Sequence, residues 1–252
     1  MEDVGYPLLR GKWQDETLHS AAQFIEGVKA LGWDPGRIPS SVVFAFDHRV
    51  RQQLEERLDA DEAPELASGN ARVFRLGGII VSCLSPGAGA MVTQMENLIY
   101  LGARRFLIVG TCGSISAEVR PGDTVVADSA LRDDGISQHY LPPGRYVEGT
   151  PAVADSLHAL LPAAKRGATW TIPIPYRVTK RELVKYGGEN VLTVEMEVAA
   201  LFAAAQARGV EAGAVLVPTG VTTADERIED WPASTEPLAL AFEAAVKVAS
   251  GD

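Results

Sequence analysis

Two short segments decide which fold the sequence predicts: LIVGTCGS at residues 107–114 and LTVEMEVAAL at residues 192–201. In each, an apolar run typical of a buried strand stops at small or polar residues. Open α/β sheets bind their ligands at such strand ends. The two segments therefore predict an α/β fold with a ligand site at these ends.

The second segment places two carboxylates, Glu195 and Glu197, around Met196 and in front of an Ala-rich helical pattern. A carboxylate is costly to bury without a partner. These two therefore need hydroxyls, backbone N–H groups or a cation. A sugar supplies hydroxyls, so the segment favours a sugar-containing ligand.

The composition narrows the class of protein. The 252 residues suffice for one large α/β domain, and 46% hydrophobic with 22% charged residues is ordinary for a globular protein. A net charge of −10 disfavours a nucleic-acid partner. No apolar run is long enough for a membrane span, and residues 1–4 lack the pattern of a signal peptide. We expect a cytoplasmic protein without a membrane partner.

The cysteines and histidines give no sign of redox or metal chemistry. Cys83 and Cys112 lie in apolar strand-like runs and are expected to be reduced core residues. The 4 His residues are scattered, without the spacing of a metal site. The sequence predicts no metal.

Strand and helix patterns alternate along the chain, as in an α/β sandwich with helices on both faces. Strands are predicted at residues 41–46, 73–76, 79–84, 105–109, 124–127, 169–175, 191–194 and 212–217. Helices are predicted at residues 16–31, 50–58, 86–100, 152–161, 198–208 and 238–248, and a further one starts at residues 179–182. With no internal repeat or linker, we predict a single-domain α/β/α sandwich with a central mixed sheet over residues 1–252. Residues 1–40 form its N-terminal lead-in and residues 41–252 its core.

Five motifs follow one another in order: GAG at 87–89, VGTCGS at 109–114, PGD at 121–123, RDDGISQHY at 132–140 and VEMEVAA at 194–200. The set resembles the nucleoside phosphorylase superfamily of purine nucleoside and uridine phosphorylases. Residues 132–140 look closest to the uridine-phosphorylase-like branch. The resemblance covers about residues 41–217.

That resemblance implies cleavage of a nucleoside N-glycosidic bond by phosphate, giving a free base and (deoxy)ribose 1-phosphate. Inorganic phosphate is then a co-substrate, and no cofactor is expected. Active sites of this family borrow residues from a neighbouring subunit, which implies a homo-oligomer, dimer to hexamer. Arg72, Arg75 or His139 are candidate donors across the interface.

The resemblance also assigns roles to single residues. Gly87, Arg49 and Thr111 match the phosphate site, and Arg72 matches loosely the phosphate-binding Arg of a neighbouring subunit. Glu197 matches the ligand of the ribose hydroxyls, with Met196 packing on the sugar. Glu197 and Arg49 are the candidate catalytic residues.

The remaining assignments concern the base and the second carboxylate. The base site would be formed by Pro175, Tyr176, Arg177, Thr219 and Gly220. Glu195 is expected to hold the local loop or an Arg.

The chain departs from the family pattern at four places. Ile108 stands where an Arg usually contacts phosphate, and residues 45–48 read AFDH where a Gly-Asp-Pro loop is expected. Gly220 lies roughly at the place of the Asp that protonates a purine, and residues 170–177 lack the spacing of Gln and Arg with which uridine phosphorylases read uracil. Losing a positioned general acid costs on the order of a hundred-fold in rate.

Three functions are therefore weighed: a phosphorylase of unusual base specificity, a nucleosidase of the same fold that uses water, and a non-catalytic nucleoside-binding member. Three loop acids are candidates to replace the missing acid, although polar loop residues usually face water: Asp225, Glu226 and Asp230.

Overall fold

A computed structural model of the chain describes residues 7, 9, 11–57, 59–223 and 225–251. The strands are β1 (Ser41–Ala45), β2 (Ala60–Glu62), β3 (Arg72–Leu76), β4 (Ile79–Cys83), β5 (Arg105–Ser114), β6 (Val125–Arg132), β7 (Tyr146–Glu148), β8 (Lys165–Thr171), β9 (Val191–Glu195), β10 (Glu211–Thr222) and β11 (Arg227–Glu229). The helices are α1 (Ala21–Lys29), α2 (His48–Glu56), α3 (Ala88–Leu101), α4 (Pro151–Leu160), α5 (Lys180–Gly187), α6 (Val198–Arg208) and α7 (Thr235–Ser250).

The strands form one mixed sheet, as predicted. Its parallel part runs β4–β1–β5–β10, with Ala45 beside both Cys83 and Val109. The order continues from β10 to β6 antiparallel, then through β8 to β9 in parallel. Because β9 pairs antiparallel with β5, the strands β5, β10, β6, β8 and β9 close into a ring. These pairings join distant segments, so no local pattern could reveal them.

Two apolar layers cover the sheet, which confirms the predicted sandwich. Strand β5 shows the alternation expected for a strand buried on both faces. Phe106 and Ile108 pack in the layer that contains α3 and α6. Leu107 and Val109 pack in the opposite layer, with α2, α4 and α7.

Several observed strands and helices have other boundaries than those predicted. The strand predicted at 169–175 is observed at Lys165–Thr171, because Pro173 and Pro175 have no N–H group for a ladder. Strands β5, β6 and β10 are longer than predicted. Residues 131–150, for which no strand or helix was predicted, contain β7 and a 3₁₀ turn at Ser137–His139.

The start of α1 shows why the first predicted helix is shorter than its pattern. Ser20 Oγ accepts the N–H of Gln23, and Gln23 Oε1 accepts the N–H of Ser20. This capping box fixes the first turn at Ala21 rather than at residue 16. The helix predicted to start at residues 179–182 is confirmed as α5, and Thr179 and Glu182 form a second capping box at its start.

Cys83 and Cys112 are both free and buried, as predicted. Burial raises the pKa of the Cys83 thiol to about 12. Within the described residues, no helix is long and apolar enough to cross a membrane.

Candidate active site

The candidate residues follow the carboxyl ends of neighbouring parallel strands. Asp47 comes just after β1, and Gly87 just after β4. Thr111 is half-buried near the end of β5, where it pairs with Val217 of β10. The fold therefore gathers these segments at one edge of the sheet, as the sequence predicts.

Of the predicted site residues, Glu197 has the position that best fits a role in ligand binding. It is buried, directly precedes α6, and its Oε1 accepts the N–H of Gly87 at 2.6 Å. Gly87 directly precedes α3. The N-termini of two helices thus meet at one carboxylate, and their dipoles favour its negative charge.

The backbone of Gly87 explains why glycine occupies this position. Its φ of +144° is one that other residues rarely adopt, and open space surrounds the place of a Cβ atom. The conformation presents the Gly87 N–H to Glu197. The predicted phosphate segment and the predicted sugar ligand are therefore in direct contact.

Glu195 holds the local loop, the first of its two expected roles. Its Oε2 accepts the N–H groups of Glu197 and Val198 at 2.6 and 2.8 Å. Its Oε1 accepts the hydroxyl of Thr171 at 2.5 Å. Thr171 Oγ1 in turn accepts the N–H of Ala199 at 2.8 Å. The first turn of α6 is thereby tied to the end of β8.

The sequence analysis missed this threonine network. The register of β8 and β9 puts Thr169 beside Thr193 and Thr171 beside Glu195. Thr193 Oγ1 donates to Thr169 Oγ1, and Thr169 Oγ1 lies 3.5 Å from Glu195 Oε1. In the sequence the three threonines are typical strand residues. Only the pairing of the two strands reveals their connection to the carboxylate.

The pKa values of Glu195 and Glu197 are both raised above the ordinary value of a glutamate. Burial raises the pKa of Glu195, and the donors from Thr171, Glu197 and Val198 oppose that shift. Burial also raises the pKa of Glu197, the charge of Glu195 adds to the shift, and the Gly87 N–H opposes it. The pair therefore carries less negative charge near neutral pH than two exposed carboxylates would.

Arg49, the predicted phosphate cation, is held within the chain. It forms a two-pronged ion pair with the buried carboxylate of Asp47, with Nε–Oδ1 at 2.9 Å and Nη2–Oδ2 at 2.8 Å. Its Nη1 donates to Ser234 Oγ at 3.0 Å and Thr235 Oγ1 at 3.2 Å. Arg49 therefore links the end of β1 to the start of α7.

Ile108, at the position where the resemblance expects an Arg, is part of the apolar core. Ile108 is buried in the apolar layer with Phe44 and Met91. The two candidate intersubunit arginines lie on β3: Arg72 pairs with Glu55 and Glu62, and Arg75 pairs with Glu65.

The predicted base residues fall into two groups. Residues 175–177 form a 3₁₀ turn in which Tyr176 is 94% exposed. The backbone hydrogen bonds of this turn, Arg177 N–H to Ile174 and Val178 N–H to Pro175, are local. Thr219, by contrast, is buried in β10, and its hydroxyl lies 3.4 Å from the carbonyl oxygen of Cys112.

Gly220 lies where β10 pairs with β11. A Cβ atom built there would come 2.7 Å from the carbonyl oxygen of Ile228. Contacts this short do not occur at real Cβ atoms, so the hairpin requires glycine. The position that carries an Asp in purine enzymes is thus closed to any side chain in this conformation.

Two of the three loop acids have other partners. Glu226 forms an ion pair with Arg120 at 2.7 Å, and Asp230 accepts the N–H of Ala233. Among the described residues, no group of three or more His, Cys, Asp or Glu side chains could hold a metal ion.

The segment at residues 132–140 mainly shapes its own loop. The buried Arg132 guanidinium donates to the carbonyl oxygens of Ser137, Leu141 and Pro142. Asp134 accepts the N–H groups of Ile136 and Ser137. His139 contacts Lys12 of the N-terminal segment, with Nδ1 and Nζ 2.8 Å apart.

Two helix N-termini around a buried carboxylate, at the carboxyl edge of a mixed sheet, define the candidate ligand site of this α/β protein. The family model of the phosphorylase superfamily matches residues 41–247. The chain therefore belongs to this superfamily of enzymes, which confirms the resemblance found in the sequence.

Curated relatives include both purine and pyrimidine enzymes. A guanosine phosphorylase from Halorubrum lacusprofundi is 32% identical over 53% of this chain, a match that spans 57% of that protein. A uridine phosphorylase from Haemophilus influenzae is 31% identical over 68% of this chain and 75% of its own length. A DeoD-type purine nucleoside phosphorylase from Bacillus cytotoxicus is 31% identical over 58% of this chain and 66% of its own.

Solved structures share the fold. A uridine phosphorylase from Vibrio fischeri superposes with a TM-score of 0.74 at 19% identity, covering 87% of this chain and 95% of the other. A purine nucleoside phosphorylase from Toxoplasma gondii in complex with immucillin-H gives a TM-score of 0.74 at 22% identity, covering 86% and 93%.

Proposed function

We propose that the protein cleaves the N-glycosidic bond of a nucleoside with inorganic phosphate, in the manner of uridine phosphorylase. The products are the free base and (deoxy)ribose 1-phosphate. The observation that carries the proposal is the contact between Glu197 and Gly87, which joins a sugar-binding carboxylate to an anion-binding segment.

Glu197 provides the sugar end of the site. Its Oε1 is engaged by Gly87, which leaves Oε2 as the acceptor for the 2′- and 3′-hydroxyls. Met196 is half-buried beside it and packs against the sugar. Glu195 keeps the loop of Glu197 fixed, so the carboxylate is positioned before substrate arrives.

In this reaction the protein mainly positions the reactants, and the bond changes take place between phosphate and the nucleoside. A phosphate oxygen forms a bond to C1′ while the C1′–N bond breaks, and the base leaves with the electron pair and takes up a proton. The transition state resembles an oxocarbenium ion, so positioning and charge placement dominate catalysis. The phosphate beneath the sugar supplies negative charge, and the buried Glu197 side chain holds the sugar hydroxyls in position.

The phosphate end combines Gly87, the Thr111 hydroxyl and Arg49. The base end combines Thr219 with the turn at residues 175–177. We also propose a cytoplasmic homo-oligomer in which Arg72, Arg75 or His139 completes the site of a neighbouring subunit.

A second candidate, a nucleosidase, is favoured by a specific observation. Ile108 is buried in the core, and Arg49 is paired with Asp47, so the cations expected around phosphate are absent or neutralised. Water would then take the place of phosphate as the nucleophile.

One experiment separates the candidates. Uridine, thymidine, inosine and guanosine are each incubated with and without inorganic phosphate at constant ionic strength, and free base is followed by its ultraviolet absorbance. Phosphorolysis requires phosphate for base release, whereas a nucleosidase releases base without it. Binding of a nucleoside without turnover would identify a non-catalytic member.

A further inference from the structure

The buried ion pair between Asp47 and Arg49 occupies the place where the resemblance expects a Gly-Asp-Pro phosphate loop. The Asp47 side chain is 3% exposed and that of Arg49 21% exposed. Asp47 Oδ1 also accepts the backbone N–H of Arg49 at 2.9 Å and so caps α2. The carboxylate is therefore a fixed part of the helix start.

Almost all of the hydrogen-bonding capacity of Arg49 is used inside the chain. A guanidinium has five N–H donors. The Nε–H and one Nη2–H point to Asp47, and both Nη1 hydrogens serve Ser234, Thr235 and the carbonyl oxygen of Trp231. Within the described residues, one Nη2–H remains for a ligand.

The charge of Arg49 is also compensated. The side-chain hydrogen bonds that Arg49 donates to Asp47 raise the pKa of the guanidinium. Burial acts to raise the pKa of Asp47, but the hydrogen bonds and charge of Arg49 outweigh it and the pKa is lowered. Asp47 is thus ionised at neutral pH, and an approaching phosphate meets a neutral pair rather than a cation.

We propose that Asp47 is a specificity-determining residue that weakens the binding of inorganic phosphate by holding Arg49. The inference rests on the proposed function, in which Arg49 contacts the attacking anion. Its consequence is that Asp47 sets how well phosphate competes with water for C1′. Attack by either nucleophile forms a C1′–O bond and expels the base, so only the product, sugar phosphate or free sugar, differs.

The test is the substitution Asp47→Asn. Asparagine keeps an oxygen that caps α2 and removes the negative charge. We expect inorganic phosphate, titrated by calorimetry without nucleoside at constant ionic strength, to bind at least about tenfold more tightly to Asp47→Asn than to the original chain. In the presence of nucleoside, the ratio of sugar phosphate to free sugar should rise.

The chain offers a matched control. Asp59 forms the same two-pronged pair with Arg57, two residues away, with both distances at 2.9 Å. The Asp59 side chain is 64% exposed and lies outside the proposed site. Asp59→Asn should leave the phosphate dissociation constant unchanged.

Two results would overturn the proposal. Unchanged phosphate affinity in Asp47→Asn is one, and a gain that persists in the double variant Asp47→Asn with Arg49→Gln is the other, since the anion would then bind elsewhere. Where Asp47→Asn does not fold, Asp47→Ser supplies another uncharged cap for the same titration. Because the titration contains no nucleoside, it decides the role of Asp47 even if the original chain cleaves none, a result that would contradict the proposed function alone.

Discussion

The Glu197 carboxylate and the Gly87 N–H, 2.6 Å apart, connect the starts of α6 and α3 by one hydrogen bond. Either helix could shift along the sheet only by breaking this contact. The geometry of the sugar site therefore depends on the segment that is expected to bind phosphate.

Replacing Glu197 with Ala should remove sugar recognition. Charge-assisted hydrogen bonds contribute about 1.5–3 kcal/mol, so kcat/KM for the best nucleoside should fall about ten- to a hundred-fold. Steady-state kinetics measure the effect. Glu118→Ala, at an exposed carboxylate, is the control and should retain full activity. Unchanged kinetics in Glu197→Ala would remove it from the sugar site.

Replacing Thr171 with Val should destabilise the fold. Valine removes the hydroxyl that donates to Glu195 Oε1 and leaves the Ala199 N–H without an acceptor, which costs about 1–3 kcal/mol for each group. Thr171→Ser keeps the hydroxyl and should lose only about 1 kcal/mol, for one methyl group. Urea unfolding measures both. Equal losses in the two variants would mean that the hydroxyl contributes nothing.

The sequence was sufficient for local features and for the residues that resemble a family. Alternating apolar runs predicted the layers, and the strand that ends in Glu195 was recognised from a buried run that stops at carboxylates. The Thr171–Glu195 contact was missed because it depends on the register of two strands. The contact of Arg49 with Ser234 was missed because it joins the first strand of the core to the last helix. Such contacts arise from pairing and packing between separate segments rather than from any pattern in one segment.

The stability of the fold should decrease as pH rises through the range in which the buried carboxylates titrate. Burial raises the pKa of Glu195 to about 7 and that of Glu197 to about 8, whereas in the unfolded chain both lie near 4.5. Between these limits the folded state binds more protons, so its stabilisation is complete below the unfolded pKa and is lost as pH rises through the folded values.

The substitution Glu197→Gln isolates this effect. Glutamine cannot ionise, so the free energy of unfolding of Glu197→Gln, relative to the original chain, should improve between pH 5 and pH 9. Urea unfolding at several pH values measures the difference. A relative stability independent of pH would show that Glu197 has an ordinary pKa.

Adding a side chain at position 220 should open the β10–β11 hairpin. Gly220→Ala places a methyl group 2.7 Å from the Ile228 carbonyl oxygen, and overpacking of this kind costs about 1–3 kcal/mol. Gly78→Ala is the matched control, because no atom lies within 4 Å of its Cβ position. Thermal unfolding compares the two. If both variants melt at the same temperature, the hairpin tolerates a side chain at position 220.

Purine nucleosides should be poor substrates compared with uridine. A purine leaves more easily when N7 is protonated, but Gly220 carries no acid and Glu226 is paired with Arg120. We expect inosine to react on the order of a hundred-fold more slowly than it would with a positioned acid. Initial rates with uridine and inosine at equal concentration measure the preference. Rapid inosine phosphorolysis would mean that an acid such as Asp225 reaches the base.

The pairing of β5 with β10 constrains how the chain can fold as it is synthesised. Residues 105–114 emerge from the ribosome roughly a hundred residues before their partners at residues 211–222. Until then, one edge of a largely buried strand is open to other chains. Contacts so distant in sequence form slowly. The same strand that carries Thr111 therefore needs protection from other chains, by a chaperone or by low concentration, until β10 has been made.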